Sequence, residues 1–153
     1  MKHDNFYSLL PKISGPIAGI GVDILYTSRI EKALTRSCMR FAEKILGLEE
    51  LQNFYIRRNK NIKKSIKFLS SRFAAKEAFS KAVGIGINIP VRWKEVQIIN
   101  SNNGRPTLFL SPKLFSWYNK FYGKFHVSIS DESDMVIAFV VIEHKDKSYN
   151  FSN

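Results

Sequence analysis

Cysteine occurs once, at Cys38, in a chain of 153 residues. No intrachain disulfide or thiolate metal cluster can form, a pattern that suits a reducing compartment. Histidine is scarce as well, with three copies, and acids are outnumbered, 13 Asp and Glu against 24 Lys and Arg. No run of 18 apolar residues occurs, which argues against a transmembrane span. The strings CxxC, HExxH, GxSxG and the P-loop are all absent, and with them several standard signatures of zinc, hydrolase and NTP chemistry. The first fifteen residues lack the long apolar core followed by small residues that a secretory signal needs. The resulting net charge of +11 attracts an anionic partner. Charge alone leaves RNA, DNA, an anionic membrane, an acidic protein and a phosphorylated small molecule all open.

What is present is enough for one domain with a real core, since 44% of residues are hydrophobic and twelve are Phe. Residues 1–16 read as an extension, 17–143 as the domain and 144–153 as a peripheral tail. In IAGIGVDIL, residues 17–25, Ile20, Val22 and Ile24 alternate with Gly19, Gly21 and Asp23. That predicts a strand with one apolar face and one glycine-lined face that lets another backbone or a ligand come close. Thr27 or Ser28 can cap a helix from about Arg29, and two shorter helical pieces follow, ending at Gly47 and covering 48–58. Asparagines predict a break near 59–61. The central stretch, SSRFAAKEAFSKAVGIGI, carries Phe73, Ala74, Ala78, Phe79, Ala82 and Val83 at helical spacing, with Ser70 or Ser71 as cap and Gly84 as stop. Strands at 93–99 and 107–110 flank a turn, Ser111–Pro112 opens a helix running to Gly123, and 125–130 and 135–143 form a final pair. Five strands and several helices without strict alternation give an α+β fold.

Chemistry gathers on few residues. On the central helix Arg72, Lys76 and Lys81 surround a single acid, Glu77; the plainest reading is a solvated face. Asp23 equally suits the cap of the following helix. His126 shares a strand face with Ser128 and Ser130, opposite the apolar side. If Asp23, Glu77 and His126 converge, two carboxylates suit Mg²⁺, a cation that keeps its waters and takes further oxygens from phosphates. Arg72, Lys76 and Lys81 can then hold the phosphate oxygens, a combination that fits phosphoryl or phosphodiester transfer.

Five blocks carry a family resemblance: GIGVDI at 19–24 followed by Arg29–Ile30, SRFAAKEAFSKAVGIGI at 71–87, WKEVQI at 93–98, GRP at 104–106 and HVSISDESDMVIAFVVIE at 126–143. In this order they resemble the small single-domain holo-acyl-carrier-protein synthases, which are 4'-phosphopantetheinyl transferases. The resemblance implies the 4'-phosphopantetheinyl transferase fold, a small antiparallel sheet packed with a long central helix and shorter helices. It implies transfer of 4'-phosphopantetheine from coenzyme A to a serine of apo acyl carrier protein, releasing adenosine 3',5'-bisphosphate. By the family pattern Asp23 and Glu77 bind Mg²⁺, while Arg72, Lys76 and Lys81 lie near the nucleotide phosphates. His126 is placed beside coenzyme A, and Glu77, Asp23 through a metal-bound water, or His126 takes the serine proton. The pattern further implies a homotrimer with intersubunit sites, where the first and last motifs of one subunit meet the central helix of the next. An acidic carrier protein would dock on Arg29, Arg36 and Arg40.

One departure matters: Asp131 and Glu132 stand where many relatives carry a second histidine, so that residue's role does not transfer. Two other readings compete. One is a noncatalytic coenzyme A or carrier-protein binder. The other is a basic nucleic-acid module built on the 57–67 run with Tyr55, Trp117 or Tyr118 as stacking surface; it lacks the recognised RNA-binding signatures, and no nucleic acid is expected. Cytoplasm and mitochondrial matrix both remain open as compartments.

Overall fold

The computed structural model describes residues 15–145; most of the expected N-terminal extension, 1–16, and of the expected tail, 144–153, lies outside the described residues. The order is β1 (Ile17–Tyr26), α1 (Thr27–Ser37), α2 (Arg40–Ile45), α3 (Leu48–Lys60), α4 (Ile62–Val83), a 3-10 turn (Trp93–Glu95), β2 (Val96–Asn100), β3 (Pro106–Leu110), α5 (Pro112–Tyr118), β4 (Tyr122–Asp131) and β5 (Met135–His144). The α+β expectation holds. Strands β1, β5 and β4 form one antiparallel sheet in that order, and β2 and β3 form a separate hairpin. No helix among the described residues is long and apolar enough to cross a membrane.

Helix α4 is the axis of the fold. It begins a full two turns before Ser70, because Asn61 accepts a hydrogen bond from the Lys64 N–H at 3.0 Å and Ile66 and Leu69 continue the buried face. Ser70 and Ser71 are therefore not caps; their hydroxyls donate to the Ile66 and Phe68 carbonyls inside the helix. The end is as expected, with Gly84 at φ 85° donating its N–H to the Ser80 and Lys81 carbonyls. Sixteen of its 22 residues are buried, so α4 is wrapped by the sheet on one side and by α3 and the hairpin on the other. The solvated face expected from its charges is reduced to Glu77, Lys81 and a few positions near the start.

The sheet lies on α4 through its glycine face. A Cβ added to Gly21 would stand 1.8 Å from the Ala78 carbonyl oxygen, and one on Gly19 would stand 2.0 Å from that of Ala82. The backbone that the glycines admit is thus the protein's own helix. Inward with them point Asp23 and Leu25, registered with Ala138 and Val136 of β5. The apolar residues Ile20, Val22 and Ile24 face outward instead, 59%, 43% and 54% exposed. Tyr118 sits in the core, and Trp117 and Tyr55 pack against it, which leaves little stacking surface for the nucleic-acid reading.

A buried ion pair ties the other side of α4 down. Lys76 Nζ lies 2.6 Å from Glu50 Oε2 and also donates to the carbonyls of Ile45 at 2.6 Å and Trp93 at 2.9 Å. Glu50 in turn accepts the N–H groups of Gly47 and Ile98 at 2.9 and 2.7 Å. Both side chains are 0% exposed. Burial lowers the proton affinity of Lys76 and the Glu50 charge opposes that loss. Every strong donor and acceptor of the pair is satisfied, as a buried charge requires.

Two outcomes follow for urea denaturation. Gly21→Ala loses about 3 kcal/mol because the helix carbonyl cannot retreat, while Gly15→Ala, with nothing within 4 Å of the new methyl, is neutral. Lys76→Met loses about 3–5 kcal/mol by stranding the Glu50 carboxylate, and adding Glu50→Gln recovers part of that loss.

Candidate active site

The glycine contact places the start of the site. With β1 pressed onto α4, inward-facing Asp23 comes beside the last two turns of the helix, where Glu77 and Lys81 stand four residues apart on one side. Lys81 Nζ reaches Asp23 Oδ1 at 2.7 Å and the Val22 carbonyl at 3.0 Å. Glu77 is half-buried, and burial raises its carboxyl above the usual carboxylate range; the Asp23 charge adds to the rise, while Lys81 and Arg29 oppose it. Arg29 also lies over the Phe73 ring, 5.7 Å from its centroid and one helical turn before Glu77.

Asp23 and Glu77 therefore form a pair of hard oxygen donors whose like charges raise the cost of ionising both. A cation relieves that cost. Among the described residues no cluster of three or more His, Cys, Asp or Glu is placed to hold a metal. Two carboxylates do fit a cation that retains water and draws its other oxygens from a phosphate ligand.

Not every expected member is here. Lys76 is a correction: sealed in the core with Glu50, it has no free donor to offer a phosphate. Arg72 is a second correction. It is 7% exposed, spends its guanidinium on the Ile98 carbonyl, Ser71 Oγ and Asn100 Oδ1, and stacks on Phe68. Burial pulls it down to about 10. Like-signed Arg72 and Lys76 coexist one turn apart because each faces its own acceptors. Lys81 alone of the three helix cations reaches the site.

His126 is on the other side of the sheet. It registers with Val141, and Val141 with Ile20, all on the outward face, whereas Asp23 registers with Ala138 on the inward one. Its Nε2 lies 2.7 Å from Glu143 Oε1. One chain thus joins Asp23, Glu77 and Lys81 but not His126. One part of the expected division between subunits is corrected: the first motif meets the central helix of its own chain. Asp131, the residue in the place of a second histidine, forms an ion pair with Lys67 of α4. Arg29, Arg36 and Arg40 are all exposed, with Arg29 and Arg36 seven residues apart on one face of α1.

Glu50 escaped the sequence reading. Its local signal is an acid three residues after Gly47 at a helix start, a capping-box position; nothing local announces the partner 26 residues away.

Comparison with known proteins finds relatives over most of the chain. The family model described as the 4'-phosphopantetheinyl transferase superfamily matches residues 19–140. A holo-[acyl-carrier-protein] synthase of Bordetella parapertussis is 50% identical over 135 residues, covering 88% of both chains. The crystal structure of the Neisseria meningitidis holo-[acyl-carrier-protein] synthase superposes with a TM-score of 0.76 at 40% identity, over 83% of this chain and 98% of that one. The Helicobacter pylori synthase, solved in complex with coenzyme A, gives a TM-score of 0.68 at 31% identity, over 80% of this chain and 98% of its own. With its match extending from the glycine strand through the central helix to the final strand pair, the chain belongs to the 4'-phosphopantetheinyl transferase superfamily.

Proposed function

We propose that the protein is a holo-[acyl-carrier-protein] synthase, which moves 4'-phosphopantetheine from coenzyme A to a serine of an acidic apo acyl carrier protein. The serine oxygen bonds to the phosphorus that carries the pantetheine arm, the pyrophosphate P–O bond breaks, and adenosine 3',5'-bisphosphate leaves. The observation that carries this reading is the meeting of Asp23, Glu77 and Lys81 across β1 and α4, in a chain 50% identical to a synthase of that activity.

Asp23 and Glu77 hold Mg²⁺, which when bound neutralises the diphosphate oxygens. Lys81 supplies a further positive charge to those phosphates. The serine proton passes to the carboxylate pair. The exposed arginines Arg29, Arg36 and Arg40 steer and seat the acidic carrier. The bacterial relatives quoted above favour the cytoplasm over the mitochondrial matrix.

The assembled enzyme is a homotrimer in which the outward sheet faces meet. Ile20, Val22, Ile24, Ile137 and Phe139 make that face apolar and are between 40% and 59% exposed in the single chain. A second copy is the natural cover for such a patch. Packing by this face carries His126 of one copy toward the Asp23–Glu77 pair of the next, so the site is completed between subunits.

Intact-mass analysis of an apo carrier protein with coenzyme A and Mg²⁺ tests the activity: one phosphopantetheine is gained, and none with chelator. Asp23→Ala and Glu77→Ala lower turnover by about 100-fold or more; coenzyme A binding without any transfer by the unaltered protein would instead mark a noncatalytic binder. The shared site has its own check. His126→Ala and Glu77→Ala proteins, each impaired alone, regain about a quarter of normal sites when mixed through an unfolded or dissociated state, because random trimers of a cyclic interface pair the intact halves at that frequency. No recovery in verified mixed trimers contradicts the intersubunit site.

A further inference from the structure

Asp23 already has a cationic partner. Lys81 Nζ is 2.7 Å from Asp23 Oδ1 and donates to the Val22 carbonyl at 3.0 Å, so one ammonium is spent on two acceptors of β1. The pair is unequal in its freedom. The Asp23 side chain is 14% exposed and held by the strand, whereas the Lys81 side chain is 49% exposed at the end of a long flexible stem. Glu77, one turn earlier on the same side of α4, has no ion-pair partner among the described residues. The lysine therefore does part of what a bound cation would do, and does it on one of the two carboxylates assigned to that cation.

We propose that Lys81 is an exchangeable counter-ion. In the absence of a divalent cation it neutralises Asp23; a divalent cation at Asp23 and Glu77 displaces it, and the freed ammonium then turns to an anionic phosphate of the substrate. The inference rests on the reading of Asp23 and Glu77 as the metal pair. It requires only rotamer changes of one half-exposed side chain. Its consequence is a coupling beyond the direct attraction of metal for phosphate. Each ligand releases or recruits the same lysine, so each strengthens the other by the same factor.

The test uses Mn²⁺ alone as probe, titrated into the full chain at low ionic strength and followed by electron paramagnetic resonance. Lys81→Met binds Mn²⁺ about tenfold more tightly than the unaltered protein without coenzyme A, and saturating coenzyme A then tightens Mn²⁺ by a smaller factor than in the unaltered protein. Lys81→Arg, which restores a charge that can pair with Asp23, stays near the unaltered affinity. Thermal unfolding checks that Lys81→Met is folded, as expected for a half-exposed position. Mn²⁺ affinity that depends on Asp23 but is unchanged or weakened by Lys81→Met overturns the exchange and leaves the metal site standing. If Asp23→Asn binds Mn²⁺ as well as the unaltered protein, the metal pair fails and the exchange fails with it.

Discussion

The backbone contact between β1 and α4 is the constraint on which the rest of the structure depends. Gly19 and Gly21 have no Cβ, and the carbonyls of Ala82 and Ala78 occupy the space where one would be. Alanine on the helix and glycine on the strand together bring two backbones to a distance no larger pair permits. Asp23, two residues beyond Gly21 and on the same face, is carried by that approach to the side of Glu77 and Lys81. A strand held even a side chain's width further out would separate the two carboxylates that define the site.

The opposite side of α4 is secured by polar rather than steric means. Glu50 and Lys76 cross-link the α2–α3 junction, the 3-10 turn and the first strand of the hairpin to the helix, with two donors and two acceptors beyond the pair itself drawn from backbone. Desolvation makes such a pair costly to assemble and costlier to break on one side only, so its worth lies in the single arrangement it permits. Arg72 does the same one turn earlier with the hairpin. Of Arg72, Lys76 and Lys81, two hold the helix in place and Lys81 alone reaches Asp23.

The three-stranded sheet then separates two sets of side chains. Its inner face, with Val136, Ala138, Val140 and Ile142 fully buried, rests on α4 and carries Asp23. Its outer face remains apolar and uncovered in the single chain, and it carries His126. Strand alternation makes this unavoidable: residues of odd and even register cannot reach the same side. A site needing both Asp23 and His126 would have to be completed by another copy, which is the arrangement proposed above.

Much of the fold was legible in local signals. The β2–β3 hairpin, the stop at Gly84, the Ser111 cap and the alternation of β4 each depend on a residue and its near neighbours. Asp23 and Glu77 were visible locally only as a possible helix cap and as one acid on a charged helix face; it was the family resemblance that singled them out as a pair. The sequence by itself thus determined the order of elements and the α+β class. Tertiary structure alone decided which face of β1 is buried, that Lys76 and Arg72 serve the core, that Glu50 anchors Lys76, and that His126 stands apart from Asp23. The physical reason is that burial, desolvation and ion pairing belong to whatever element lies opposite, and no residue carries that information in its own neighbourhood.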